Sequence, residues 1–243
     1  MPAAGYVRLL SVAVRLSMAD RAGRLRLVIF DCDGVLIDSE PVVNRVVAEE
    51  LTRLGWPMTA EEASNRFLGL DLNTMAPLIE AAVGKALPAA WLPALQARIV
   101  ATLQADAPMV PGAREALEVT TALGLAWRVA SNSSHEEMRA KFGRNGLLQA
   151  VAGRLHSFTD VARGKPAPDL FLAAAAAEDV LPVECLVVED SVPGVTGAVA
   201  AGMACLGLAR HGDGAALVGA GATTFDSLFD LPALLRTAIG RPA

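Results

Sequence analysis

Tyrosine occurs once in this chain, and aromatic residues together make up only 5% of it. That shortage argues against an aromatic-rich β-sandwich. It also argues against a surface that stacks nucleic-acid bases. Charge is scarce too, at 19% against ~25% in an average soluble domain. The net charge is −5 and no block of Lys or Arg stands out, so the electrostatic footprint of a nucleic-acid binder is missing. Lysine is the rarer cation, confined to Lys85, Lys141 and Lys165 in a chain that otherwise uses arginine. Cysteine is limited to Cys32, Cys185 and Cys205, an odd and widely spaced set. It forms neither a CxxC pair nor a disulfide framework, and no histidine stands at metal-ligand spacing from it. A reducing cytoplasm is the expected compartment.

The chain does have apolar surface, with 53% hydrophobic residues against ~45–50% in a typical soluble domain. A disordered chain is thereby excluded, because disorder needs low hydrophobicity and high charge. The uncharged run Ser191–Ala209 is nominally long enough to span a bilayer. However, it holds Pro193, Gly194, Gly197, Gly202 and Gly207, and reads as loop, buried helix, turn and buried strand. No membrane partner is expected. The apolar stretch Tyr6–Ser17 is interrupted by Arg8 and Arg15, which fall inside what would be a signal-peptide core. Residues 1–24 read as an N-terminal extension, expected to be disordered, and stand outside the fold.

At ~150 residues per domain, 243 residues correspond to between one and two domains. Leu25–Phe30 is short, apolar and β-rich, as a strand buried on both faces should be. Ala126–Ala130, Leu186–Val188 and Ala204–Leu208 have the same character. Helical stretches separate them: Gly112–Leu123, Ser134–Asn145 closed by Gly146, and alanine-rich Asp169–Glu178. This alternation predicts an α/β fold, a doubly wound (Rossmann-like) parallel sheet. Residues 41–106 break the alternation. Pro41–Leu54 carries Val and Leu at helical spacing, Thr59-Ala-Glu-Glu62 reads as a capping box, Asp71 could cap a third helix, and Pro88–Ala105 looks like a fourth. The expected organisation is an α/β core over 25–40 and 108–243, with a small α-helical cap inserted at 41–107. Hinges are expected near Ile37–Pro41 and Ala107–Gly112.

Residues suited to chemistry fall at the strand ends, where a parallel sheet presents its ligand crevice. Asp31 and Asp33 follow the first strand, and Gly34 permits a sharp turn. Two carboxylates there can divide the work of attacking phosphorus and handling the leaving group's proton. Ser131-Asn132 closes the second strand and supplies a hydroxyl and backbone N–H groups beside a helix start, which suits an anion. Lys165 is locked between Gly164 and Pro166, a placed point charge. Glu189-Asp190 ends another strand, and carboxylates there suit Mg²⁺, a hard ion that prefers oxygen ligands.

In the order DxDG, Ser-Asn, Lys, Glu-Asp, the chain resembles the haloacid dehalogenase superfamily of aspartate-nucleophile phosphatases. The resemblance covers about residues 25–210. Its most specific segments are Asp-Cys-Asp-Gly-Val-Leu-Ile-Asp-Ser-Glu (31–40) and Val-Val-Glu-Asp-Ser-Val-Pro-Gly (187–194). The helical insertion looks like the cap of the phosphoglucomutase-like, sugar-phosphatase branch. The resemblance implies Asp31 as nucleophile and Asp33 as general acid and then base. It implies phosphoryl binding by Ser131, Asn132 and Lys165. It also implies a Mg²⁺ shell of Asp31, the Asp33 backbone carbonyl, Asp190 and Glu189, the last directly or through water. In the cap, Arg66 would contact a distal anionic group of the substrate, and Gly69 would let its loop turn close to the ligand. An Asp at position 33 favours phosphate chemistry over dehalogenation, because halide leaves unprotonated.

The expected activity is Mg²⁺-dependent hydrolysis of small phosphate monoesters, with a phosphorylated metabolite as partner. Nothing demands more than a monomer. The nearest alternative is a β-phosphoglucomutase-like phosphomutase. Those mutases carry a histidine twelve residues after the nucleophile, where this chain has Val43. A response-regulator receiver domain also uses acidic residues, Ser/Thr and Lys at strand ends. It lacks a first-strand DxDG and a helical cap.

Overall fold

A computed structural model describes residues 25–67, 70, 72–210, 212 and 214–240. The extension at 1–24, Gly69 and Asp71 lie outside the described residues. In chain order the elements are β1 (Leu27–Phe30), α1 (Glu40–Arg53), α2 (Ala60–Phe67), α3 (Leu72–Val83) and α4 (Trp91–Ala105). They continue with α5 (Ala113–Ala122), β2 (Ala126–Ser131), α6 (His135–Arg144), β3 (Leu155–Ser157) and α7 (Asp169–Ala176). The chain finishes with β4 (Cys185–Glu189), α8 (Val192–Ala200), β5 (Ala204–Leu208), α9 (Ala215–Ala220), β6 (Thr223–Phe225) and α10 (Leu231–Ala238).

The six strands form one sheet in the order β3-β2-β1-β4-β5-β6, every neighbouring pair parallel. The chain winds outward from β1 to β3, then crosses back to β4 on the other side of β1. The strand order therefore reverses between β1 and β4, and a crevice opens beyond their carboxyl ends. Phe30 stands level with both Val129 and Val188, so these three strands finish side by side.

Both faces of the sheet are covered, and successive residues of each strand go to opposite sides. Val28, Phe30, Val129, Leu186, Val188 and Leu206 join one buried cluster. Leu27, Ile29, Ala130, Cys185, Val187 and Cys205 join another. The second cluster is closed by small residues of α7 and α8, among them Ala174, Ala175 and Ala198. The run Ser191–Ala209 is divided between α8 and β5, and among the described residues no helix is long and apolar enough to cross a membrane.

The first cluster also runs into the four helices between β1 and α5, through Val46, Leu51, Ile79, Trp91 and Leu103. Local chemistry explains where these helices begin. Thr59 Oγ1 accepts from the Glu62 backbone N–H, and Glu62 Oε2 accepts from that of Thr59, the reciprocal pair expected from the sequence. Pro88 stops short of the fourth helix; its carbonyl accepts from Trp91 in a turn instead. Buried Glu50 on α1 accepts from Trp91 Nε1 at 2.8 Å and from Arg53, pinning α1 to the start of α4.

The chain enters and leaves this helical insertion along two adjacent extended segments. Ile37 and Met109 form an antiparallel bridge; Asp38 N donates to the Pro108 carbonyl at 2.8 Å and Val110 N to that of Leu36 at 3.0 Å. Arg210, just beyond β5, grips both oxygens of Asp38 at 3.2 Å.

β3 and β6 were not anticipated. Each has three residues, too few for a period-2 pattern to register, and each is placed by pairing with a longer neighbour.

Candidate active site at the strand ends

Asp31 leaves β1 with its backbone N–H bonded to the Val188 carbonyl at 2.9 Å, so the sheet register fixes its position. The chain then doubles back: Gly34 N donates to Ile37 O, and Leu36 and Ile37 both donate to Cys32 O. Gly34 takes a positive φ of 76° in this turn, a conformation open to glycine. A Cβ on Gly34 would also overlap the carboxylate of Asp190, so the glycine makes room for the acid.

Glu189 ends β4 completely buried. Its Oε2 accepts from the backbone N–H of Asp190 and of Ser191 and from Ser191 Oγ, each at 2.9 Å. Gly194, in the first turn of α8, has the same spatial duty towards Glu189 that Gly34 has towards Asp190. The glycines of the two most specific sequence segments thus seat the carboxylates of the last one.

Lys165 joins the two strand ends. Its Nζ lies 2.5 Å from both Asp31 Oδ1 and Glu189 Oε1, and 5.3 Å from the centre of the Phe171 ring. Asn132, just past β2, secures the loop that carries it. The Asn132 amide accepts from Lys165 N at 2.9 Å and donates to Lys165 O at 3.1 Å. Ser131 is buried, and its Oγ accepts from Ser133 N and donates to Asp33 Oδ2 at 3.2 Å. The structure therefore brings Asp31, Asp33, Ser131, Asn132, Lys165, Glu189 and Asp190 together.

Three participants were not singled out from the sequence. Lys141 Nζ lies 2.6 Å from Asp33 Oδ1 and 2.8 Å from Ser133 Oγ. Ser133 Oγ donates to Asp33 Oδ2 at 2.9 Å, and Ser39 Oγ donates to Asp33 Oδ1. The scarcity of lysine, which drew attention to Lys165, applies equally to Lys141. A lysine in the last turn of a helix reads as an ordinary C-terminal cation, so its burial stays hidden until α6 is docked.

The electrostatics of the two aspartates diverge. Burial pushes the Asp31 carboxyl up to about 7, opposed by the ammonium of Lys165 and reinforced by Glu189 and Asp33. Burial also acts to raise Asp33, but the Lys141 charge and the hydrogen bonds from Lys141, Ser39 and Ser133 bring it down to about 2. Asp190 is pushed up to about 9 by burial, then by the charges of Asp31 and Glu189. Asp31, Glu189 and Asp190 each present an oxygen within 4.8 Å of the others. Three crowded carboxylates, all hard oxygen donors, fit a divalent hard cation. Asp33 is outside this group; its side chain is engaged by Lys141 and the serines.

Arg66 and Gly69 are a different matter. Arg66 lies on the exposed side of α2 with its guanidinium 4.8 Å over the Trp56 ring, a contact internal to the helical insertion. Gly69 is outside the described residues. His135, which begins α6, bonds Asp160 through Nε2 at 2.8 Å.

Comparison with known proteins bears on these features. The sequence profile of the haloacid dehalogenase-like hydrolases matches residues 25–202. The chain is 29% identical over 212 residues to 6-phosphogluconate phosphatase of Escherichia coli, covering 87% of this chain and 95% of that protein. It is 31% identical to hexitol phosphatase B of the same organism, covering 72% and 79% respectively. A crystal structure of a HAD family hydrolase from Deinococcus radiodurans, with bound phosphate and sodium, superposes with a TM-score of 0.76 at 30% identity, covering 90% of this chain and 99% of that one.

Proposed function

Since the chain belongs to the haloacid dehalogenase-like hydrolases, we propose that it is a Mg²⁺-dependent phosphatase of small phosphate monoesters, sugar or sugar-acid phosphates foremost, working through an aspartyl-phosphate. The observation that carries this reading is the bridge from Lys165 to Asp31 and Glu189, 2.5 Å on each side, at the point where the strand order reverses.

Asp31 is the nucleophile, held by the register of β1 against β4 with its Oδ1 on Lys165. The Lys165 ammonium lowers the cost of bringing an anionic ester to a carboxylate. It also stabilises charge on the equatorial oxygens as the phosphoryl group moves. Ser131 and the backbone of Asn132 complete the phosphoryl cradle beside the start of α6. Asp31 and Asp190, with Glu189 supporting, would hold Mg²⁺, which would supply further positive charge at the phosphoryl group. Asp33 gives a proton to the departing alcohol and takes one from the attacking water. The negative charge of an arriving ester raises the proton affinity of Asp33, the direction its role as acid needs.

The helical insertion is the cap, joined to the core by the paired segments around Ile37 and Met109, and it selects the substrate. The names of the two Escherichia coli relatives support sugar-acid and sugar-alcohol phosphates as the first candidates. The phosphomutase alternative gains nothing here, because Val43 packs against the apolar core and has no group to transfer a proton. Three free, buried cysteines fit a reducing compartment, the cytoplasm.

The test is phosphate release, read by malachite green, across a panel of sugar phosphates, 6-phosphogluconate, phosphoglycolate and nucleotides. Multiple turnovers with Mg²⁺ and none with EDTA are expected. No release from any member with Mg²⁺ present would reject the reading.

A further inference from the structure

Asp33 accepts from four side chains, and its two oxygens are not held alike. Oδ1 takes Ser39 Oγ and Lys141 Nζ, the latter at 2.6 Å. Oδ2 takes Ser131 Oγ at 3.2 Å and Ser133 Oγ at 2.9 Å. A carboxylate offers about four lone-pair sites, so every one is occupied before substrate arrives.

The contacts differ in how easily they can be released. Lys141 is buried, with a side chain only 3% exposed, and Asp33 is the carboxylate it pairs with. Breaking that pair would leave an uncompensated buried charge, the costliest way to free an oxygen. Ser131 is different. Its hydroxyl rotates freely, and under the proposed function it turns to bind the incoming phosphoryl group, which frees a lone pair on Oδ2.

Helix α6, which carries Lys141, is fixed at its far end. Asn145 Nδ2 bridges the carbonyls of Ala107 and Lys141 at 2.7 and 2.8 Å, and Arg144 Nε donates to that of Ala105 at 2.8 Å. The ammonium is thus held in relation to the segment by which the chain leaves the helical insertion.

We propose that Lys141 is a positioning residue: it anchors Asp33 through Oδ1 and reserves Oδ2 for proton exchange with the ester's bridging oxygen and then with water. In the first step an Asp31 oxygen–phosphorus bond forms while the phosphorus–bridging oxygen bond breaks. The bridging oxygen keeps that electron pair and takes a proton from Asp33 Oδ2, one that the freed lone pair took up from solvent as the negative charge of the ester arrived. In the second step a water oxygen bonds to phosphorus, the Asp31–phosphorus bond breaks back to a carboxylate, and a proton of that water returns to Oδ2.

This inference rests on the phosphatase reading, and leaving-group chemistry separates the two. A sugar alkoxide needs a proton in order to leave, whereas p-nitrophenolate does not. The first step is to be timed by rapid quench for wild type and Lys141→Met, using p-nitrophenyl phosphate and the sugar phosphate turned over fastest in the panel. The variant should lose about 100-fold with the sugar phosphate, the lower end of what a placed general acid contributes. It should lose no more than about 3-fold with p-nitrophenyl phosphate. Lys141→Arg, which keeps the charge, should recover at least about 10-fold of the sugar-phosphate loss. If Lys141→Met does not fold, Lys141→Gln, with a polar donor in the same space, should show the same selectivity. Equal losses with both esters, or none, would overturn the inference while leaving the phosphatase reading intact. An inactive wild type would overturn both.

Discussion

Gly34 and Asp190 occupy one fitted space: the hydrogen of the glycine stands where any Cβ would overlap the carboxylate, although the two residues belong to opposite ends of the core sequence. The turn after β1 and the end of β4 are therefore specified together. The positive φ of Gly34 adds a second reason for the residue.

Gly34→Ala should be among the most damaging small substitutions in the chain. The left-handed backbone alone costs about 1–2 kcal/mol in a residue with a Cβ. The collision must also push Asp190 out of place. Activity should fall at least about 100-fold, equivalent to about 2.7 kcal/mol of transition-state stabilisation. Steady-state kinetics and a thermal melt check this. A variant with wild-type kcat would show that Asp190 has no fixed position to lose.

Asp31→Asn should abolish turnover without unfolding the protein, because it removes one negative charge from a crowded, buried group. Intact-mass measurement after incubation with substrate should find no phosphorylated enzyme. Asp33→Asn should reduce kcat by about 10²–10⁴-fold, the usual contribution of a placed acid or base. Near wild-type rates for either variant would reject the corresponding role.

Asn132→Ala should act through Lys165. It removes both hydrogen bonds that hold the Lys165 backbone, each worth about 1 kcal/mol net. The lysine should lose its fixed place rather than its charge, so both kcat and KM should worsen, by about 10-fold together. A loss of thermal stability with unchanged kinetics would show that the loop holds Lys165 without this amide.

The raised carboxyls predict an unusual pH dependence for protein stripped of metal. Asp31 and Asp190 sit at about 7 and about 9, above their unfolded value. Between about pH 4 and 9 the folded state therefore binds more protons than the unfolded state, so stability falls as pH rises through that window. Asp33 has the opposite sign, but its window closes below pH 4. Melting temperatures in EDTA should decline from pH 5 to pH 9, and Mg²⁺ should restore most at the alkaline end. A flat profile in EDTA would contradict the crowding of these acids.

Much of this site was legible before folding. Asp31, Ser131 and Glu189 each follow an apolar run that can be read as a strand, so the topology alone gathers them. Lys165 betrayed itself by its setting between glycine and proline. Lys141 did not, because its meaning depends on which face of α6 meets the sheet, a matter of docking rather than local pattern. Ser133 and Ser39 look like ordinary cap and linker residues and acquire partners only when Asp33 turns towards them. The sequence pattern found the four long central strands but missed β3 and β6, which exist through edge pairing more than through their own composition.

The paired segments at Ile37 and Met109 have a consequence for how much the helical insertion costs the fold. Its two ends are hydrogen-bonded neighbours, so the whole excursion is a closed loop. Closure entropy grows only with the logarithm of loop length, about 0.6 kcal/mol for each doubling. A longer, shorter or differently packed insertion would leave β1 and β2 in the same register and Asp31 in the same place. The fold thus separates the part that can vary in size from the part that cannot move by an ångström.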